Sequence, residues 1–403
     1  MADPSASTPS ASTAPLAGIR VLDLSQIMQG PAATQVLGDF GADVIKVERP
    51  KGGDIFRWSI DDPAGPDHPA FVSLNRNKRS LAVDLSSDEG RSVVGRLAQT
   101  ADVVVSNFRP GVMERLGLGY AQLSAVNPRV IWAVGLGYGS KGPYVAKGGQ
   151  DMLAQAYSGA MSHLLDGWEP RVYPVSLADY STGMHLVQGI LLALLARERT
   201  GRGQLIECSL YDSMLAMQML EAAMVLNGRR PLNWAGLPLN GTFVTTDGAI
   251  VLVGAFKPNP LRDICAALGL EDLSLRPELR TQTDQMAHRP MLQALFRERF
   301  ATNTTAHWLA KLEEQDLLCA PVRVLQDALD DEQTAVNGML LELEHATLGS
   351  VRVVASPLHL SETPAAVRRP APRLGADSDA VLAELGYEPA QIAALRALGV
   401  IAG

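Results

Sequence analysis

The chain has 403 residues, 47% of them hydrophobic, enough for two compact domains with proper cores. A formal charge of −8 gives no support to nucleic-acid binding, which needs a concentrated basic face. Its three cysteines, Cys208, Cys265 and Cys319, lie far apart and form neither a disulfide framework nor a CxxC pair, which suits a reducing cytoplasm.

Residues 1–16 are nearly all Ala, Ser, Thr and Pro and read as a disordered leader without the features of a secretory signal. From Ile19 the pattern alternates between strand and helix. Arg20–Leu24 predicts a strand, Ala32–Phe40 a helix opened by Pro31, and Asp43–Glu48 a second strand, together a βαβ unit. A third strand is expected over Ser80–Leu85, then a capping box at Ser86-Ser-Asp-Glu89 opening a helix to about Ala101. Strands at Asp102–Ser106 and Arg129–Val134 follow. This alternation argues for a largely parallel sheet with helices on both faces. A helix from about Ser181 to Arg199 is apolar on most sides, so burial is expected, and Gly201 stops it. The longest apolar run, Gly189–Ala196, is too short to cross a bilayer. Gln204–Ser209 is a sixth strand, and Tyr211–Leu226 a Met-rich helix whose methionines read as packing.

Beyond Asn227 the composition changes. Thr242–Thr246 and Ala249–Val253 flank Asp247-Gly248, which predicts a hairpin with a type I′ turn. The expected fold class is α/β: a large domain with a parallel sheet over residues 17–227, a smaller α/β domain over 228–330, and a return segment, 331–403, completing the large one.

Gly137-Tyr-Gly-Ser-Lys-Gly142 matches the dinucleotide pattern GxGxxG. Pro143 and further glycines follow where that fingerprint needs a helix, so the stretch reads as an extended loop rather than an NAD or FAD site. The histidines show no metal-ligand spacing, and no metal is expected. Arg49, Asn77-Lys-Arg79, Arg109 and Arg115 fall near strand ends and are candidates for the phosphates of a nucleotide such as coenzyme A. Val175-Ser-Leu-Ala-Asp179 sets a carboxylate at the start of the long helix, where unpaired N–H groups and the dipole are expected to keep it ionised. Asp179 reads either as a helix cap or as a nucleophile able to form a mixed anhydride. His185 lies about 600° further round the helix axis and cannot form a dyad with it.

Taken in order, several blocks resemble the class III coenzyme A transferases, the family of the formyl-CoA and carnitine CoA-transferases and of 2-methylacyl-CoA racemases. They are Val21-Leu-Asp-Leu with Gly30-Pro31, Gly38-Asp-Phe-Gly-Ala-Asp-Val-Ile-Lys-Val-Glu48, Asn77-Lys-Arg79, Asn107-Phe-Arg-Pro-Gly111, Ala178-Asp-Tyr-Ser-Thr-Gly-Met-His185, Thr200-Gly-Arg-Gly-Gln204, Cys319-Ala-Pro-Val322, and Pro372-Arg-Leu-Gly375 with Glu384-Leu-Gly-Tyr387. The similarity runs from Leu16 to the last helix. It implies a Rossmann-like large domain and an interlocked, ring-through-ring homodimer. It also implies transfer of CoA between two carboxylic acids through aspartyl anhydride and aspartyl-CoA thioester intermediates.

In that resemblance Asp179 is the nucleophile. CoA, a substrate rather than a permanently bound cofactor, contacts Met28, Gln29, Arg49, Val83, Asn107, Phe108, Arg109, Arg115 and Lys147. Gly149-Gln150-Asp151 stands where the racemases carry Gly-His-Asp. Gln150 cannot move a proton, so the match favours transfer, with Gln150 donating a hydrogen bond to an acyl oxygen. The expected partners are an acyl-CoA and small carboxylic acids, with neither nucleic acid nor membrane. Short dicarboxylates such as succinate are plausible substrates if Arg171 meets their distal group. The segment Gly236–Gly241 is the expected shield over the site.

Overall fold

The computed structural model describes residues 13–58, 67–163, 170–231 and 233–403. Residues 1–12 of the expected leader lie outside them. Leu16, at that leader's end, is buried, and its N–H bonds the carbonyl of Phe40 at 2.9 Å. Contacts group Pro170–Gln218 and Ala335–Gly403 with the chain before His163 as one unit, and Met219–Thr334 as another.

Among the described residues the first unit holds a sheet of seven strands. These are β1 (Arg20–Asp23), β2 (Asp43–Glu48), β3 (Lys78–Val83), β4 (Val103–Ser106), β5 (Ile131–Leu136), β6 (Leu205–Ser209) and, from the chain end, β12 (Ile401–Ala402). Their order is β12-β3-β2-β1-β4-β5-β6, all parallel except β12, which runs antiparallel to β3. The fold is therefore α/β with a mostly parallel central sheet. Alternate residues serve opposite faces, as a pleated strand requires. Leu22, Ile45, Val104 and Trp132 join one core with the helix Asp88–Thr100 and the C-terminal helices. Val21, Val44, Val103 and Ile131 join the other, with the helices Gln29–Asp39 and Leu177–Thr200. In such a sheet the strand order reverses between β1 and β4, and ligands bind outside the carboxyl ends of the strands at that point.

A hairpin of β10 (Leu340–His345) and β11 (Gly349–Val354) also belongs to the first unit. The second unit carries, among the described residues, an antiparallel sheet of β7 (Asn240–Val244), β8 (Ala249–Val253) and β9 (Leu318–Pro321). Its core is centred on Phe243 stacked against Phe300, with ring centroids 4.8 Å apart.

Several local expectations are corrected. The helix after β3 is capped by Ser87, whose hydroxyl accepts from the Gly90 N–H, so no Ser86–Glu89 box forms. The helix expected over Tyr211–Leu226 is two, Leu210–Met217 and Met219–Leu226. Gln218 separates them, its side-chain amide bonding the Met214 carbonyl at 2.8 Å in competition with the backbone ladder. Neither Asp247 nor Gly248 has positive φ, so the hairpin turn is not type I′. Asp247 instead accepts from the Thr305 N–H at 2.7 Å. The helix Leu177–Thr200 buries one side, including Ala178, Thr182, Leu186, Val187, Ile190 and Ala193, and exposes Leu192 and Leu195. Strands β9, β10 and β12 have no counterpart in the sequence reading. Among the described residues no helix is long and apolar enough to cross a membrane.

Candidate functional site

The loop that follows β1 is clamped from two sides. The Asn107 side chain, just past β4, accepts the Gln26 N–H at 2.9 Å and donates to the Gln26 carbonyl at 2.7 Å. Asp54 accepts the Ile27 N–H at 3.1 Å and is itself ion-paired to Lys46 at 2.8 Å, both side chains fully buried. Between the clamps Ile27 has φ 69°, a left-handed conformation costly for a β-branched side chain. Ile27→Gly is expected to stabilise the protein by about 1 kcal/mol, strain relief exceeding glycine's extra chain entropy. A raised urea midpoint at unchanged m checks it.

Two cavities open at this end of the sheet, sharing Gln26 and Phe108. The first, about 290 Å³, is lined by Lys46, Arg49, Val83, Leu85, Phe108 and Leu116 among others. The second, about 440 Å³, is lined by Met28, Gln29, Asn107, Phe108, Arg109, Lys147, Gln150 and Asp179. Of the sequence-predicted residues, Arg115 lines neither: it sits exposed on the short helix Val112–Arg115. Arg171 is also exposed and absent from both walls. The Lys147 ammonium bonds the Tyr157 hydroxyl at 2.5 Å and lies 4.3 Å from the Tyr144 ring centroid, beside Tyr138.

The basic cluster before β3 has other duties. The Lys78 ammonium is fully buried on Asp23 at 3.0 Å, and burial lowers its pKa to about 8 against the pull of Asp23. Arg79 pairs with Asp43 and Glu384, and the Asn77 amide bonds Asp39. These residues stand at the amino end of β3, the wrong end of a parallel strand for a ligand.

Asp179 lies in the first turn of the helix Leu177–Thr200 but does not cap it. Asp151 does: its Oδ2 accepts the N–H groups of Ala178 at 2.8 Å and Asp179 at 3.0 Å. The unpaired N–H groups expected to hold Asp179 ionised are thus taken by Asp151 instead. Burial, with the charge of Asp151 adding to it, raises the Asp179 carboxyl to about 6. The Asp151–Tyr157 helix is capped by Gln150, whose carbonyl takes the Met152 N–H at 2.9 Å, leaving its NH₂ group as the remaining donor. His185 turns away from Asp179 and meets the Ser213 hydroxyl at 3.0 Å.

Close backbone contacts explain three of the glycines around the site. Gly137 crosses Gly149 so tightly that a Cβ on either would sit 2.4–2.5 Å from the other's Cα. The GxGxxG match is thus partly a packing requirement, and no helix opens on it before Asp151. Gly183 similarly admits the Gln29 carbonyl. The sequence reading missed Asp54 and Asp151. Asp54 had no signal beyond its place in a Gly-Gly-Asp turn, whereas Asp151 carried one in following Gly149-Gln150 at a helix start. Among the described residues no group of three His, Cys, Asp or Glu side chains is gathered as for a metal ion.

Residues 16–378 match the family described as CoA-transferase family III. The chain is 36% identical to an acyl-CoA transferase of Fusarium pseudograminearum, covering 97% of this chain and 89% of that one. It is 35% identical to the succinyl-CoA:glutarate CoA-transferase of Mus musculus, over 96% of this chain and 90% of that one. Among solved structures, a CAIB/BAIF family protein from Brucella suis superimposes with a TM-score of 0.82 at 32% identity, covering 92% of this chain and 99% of that one.

Proposed function

We propose, on the premise that this chain belongs to CoA-transferase family III and is an enzyme with CoA-transferase activity, that Asp179 is its covalent nucleophile. A carboxylate oxygen of Asp179 attacks the thioester carbonyl of the donor acyl-CoA. The C–S bond breaks, CoA leaves as thiolate, and an acyl-aspartyl anhydride remains. The thiolate attacks Cγ of Asp179, the bridging C–O bond breaks, and the donor acid leaves as carboxylate. The acceptor carboxylate attacks the resulting aspartyl-CoA thioester, and the two steps run in reverse. One anion is consumed and one released at each step, so neither a proton carrier nor a resident cofactor is required.

The observation that carries this reading is a carboxylate without a cation partner among the described residues, lining a cavity beside the loops at the β1–β4 switch point. In the reading, CoA lies along Arg49, Val83 and Phe108 in the smaller cavity and passes Met28, Gln29, Asn107, Arg109 and Lys147, with Arg115 reaching its phosphates from outside. The NH₂ group of Gln150 meets the acyl oxygen. Arg109 and Lys147 line the wall with Asp179, which supports a short dicarboxyl-CoA such as succinyl-CoA as donor. The mouse relative's own name pairs succinyl-CoA with glutarate.

The working form in this reading is the interlocked homodimer, with a large domain of residues 17–227 and 331–403 and a small one of 228–330. Apolar surface supports a second copy. The helix Met219–Leu226 buries none of its residues and exposes Met219, Leu220 and Leu226, while Leu192 and Leu195 are exposed on the long helix. Three free thiols support a cytoplasmic setting. Gly236–Gly241 fits a shield less well as a free loop, since Asn240 ties it down by bonds to the Trp234 carbonyl and the Gly254 N–H.

Intact-mass analysis after mixing with succinyl-CoA and acid quenching tests the covalent route. A CoA thioester or acyl adduct is expected on the peptide containing Asp179, and none in Asp179→Ala. Full-strength CoA exchange in Asp179→Ala overturns the reading.

A further inference from the structure

We propose that Asp151 is a positioning residue for the transfer reaction, a buried anion that fixes the Asp179 backbone and favours conversion of its carboxylate into the neutral acyl and thioester forms. The inference rests on Asp179 being the nucleophile. Its geometry is specific. Asp151 is only 4% exposed, and its Oδ2 holds two consecutive N–H groups of a helix that begins 26 positions later in the chain. Its Oδ1 accepts from the Gln155 amide at 2.6 Å. Gln155 is in turn anchored to Tyr173, taking its N–H at 3.0 Å and donating to its carbonyl at 3.3 Å. The partners that the described residues give Asp151 are thus all neutral.

A structural cap alone would not need this arrangement. Ser176 already stands at the N-cap position, and its side chain makes no cap bond. Serine is among the preferred residues there and would satisfy an N–H group without introducing charge. The chain instead brings in a buried carboxylate and so sets two acids at one helix terminus. Like charges at short range disfavour the ionised ground state. Acylation of Asp179 moves its charge to the departing thiolate, and the repulsion is relieved.

The surroundings leave Asp151 in control. The helix Gln29–Asp39 contributes the neutral Gln29 to the wall, and Leu210 comes from the next helix. Asp212 on that helix is engaged by the Ser209 hydroxyl at 2.7 Å, and His185 on Asp179's own helix is engaged by Ser213. Arg109 and Lys147 line the cavity, yet the raised proton affinity of Asp179 traces to burial and Asp151, with no cation opposing them.

The test compares pH–rate profiles and single-turnover adduct formation for the wild type, Asp151→Asn and Asp151→Glu, with Asp151→Ser as a second neutral variant that retains a capping oxygen. The wild type should lose activity below an acid limb near pH 6, set by Asp179. In whichever neutral variant folds, the limb should move to lower pH. Adduct formation at about pH 8 should slow roughly tenfold, the equivalent of about one pKa unit. Asp151→Glu should return the limb toward the wild-type position. A neutral variant that slows turnover while its acid limb stays in place overturns the proposal and leaves Asp151 a structural cap. Failure of the Asp179 reading is separately visible, because Asp179→Ala would then still exchange CoA.

Discussion

Asp179→Asn is expected to abolish CoA exchange and, at about pH 8, to make the protein more stable than the wild type. Loss of the nucleophile should lower turnover by roughly a thousandfold or more. The stability gain has a separate origin. Burial and the neighbouring Asp151 hold the folded-state carboxyl at about 6, above its ordinary value of 3.8. The native state therefore binds this proton more tightly than the unfolded chain. Its favourable contribution is complete below the ordinary value and is lost as pH rises through 6. Well above that, the ionised side chain costs the fold about 2 kcal/mol, a two-unit shift discounted for residual solvent exposure. Asparagine copies the shape of the protonated acid and removes the cost. Urea melts at about pH 8 should show the variant ahead by this amount, and at about pH 4 the two curves should converge. An equal gain at both pH values would mean that Asn packs better and that Asp179 carries no such burden.

The strand–helix alternation made the parallel sheet legible, because strands buried on both faces read as unbroken runs such as Val103-Val-Val. The edges were harder. Strand β12 has only two residues, and its sequence, Ile401-Ala402, resembles any chain end until it is seen beside Val83 and Ala82. Strand β9 contains Pro321, which argues against a strand unless the residue ends an edge, as here. In the site, the place of Asp179 near the start of a long helix was legible from the apolar run after it, although the helix begins at Leu177 rather than about Ser181. The electrostatics of Asp179 were not, since they depend on a carboxylate 28 positions away. Asn107 shows the same limit. The resemblance marks it as a CoA contact, whereas the fold commits both ends of its amide to the backbone of Gln26. Lys78 and Arg79 were misleading because charge is visible in a sequence and pairing is not.

Arg57→Ala is expected to destabilise the enzyme by about 3–5 kcal/mol, the cost of leaving buried carboxylates without their cation. Arg57 is fully buried and meets Glu48 through Nε at 2.7 Å and Nη2 at 2.8 Å, and Asp67 through Nη1 at 2.7 Å. It also donates to the Pro372 carbonyl at 3.0 Å and stacks 3.7 Å from the Phe71 ring centroid. One side chain thus joins the end of β2, the turn Ile55–Arg57, the helix Pro69–Asn75 and the return segment. Glu48 also accepts the Asp54 N–H at 3.0 Å, so a loosened Glu48 would release the residue that holds Ile27. Burial alone would raise the Glu48 carboxyl, but Arg57, with smaller help from Lys46 and the Ser80 hydroxyl, holds the group below the usual range. That stabilisation is present above the unfolded-state pKa and is lost as pH falls through the folded one. In Arg57→Ala the buried Glu48 gains by taking up a proton, so acidification should narrow its gap to the wild type. Arg57→Lys should recover only part of the loss, because an ammonium cannot reproduce the forked contact with both oxygens of Glu48. Chemical denaturation across this pH range checks each point, and a gap that stays constant with pH would place the cost in lost packing against Phe71.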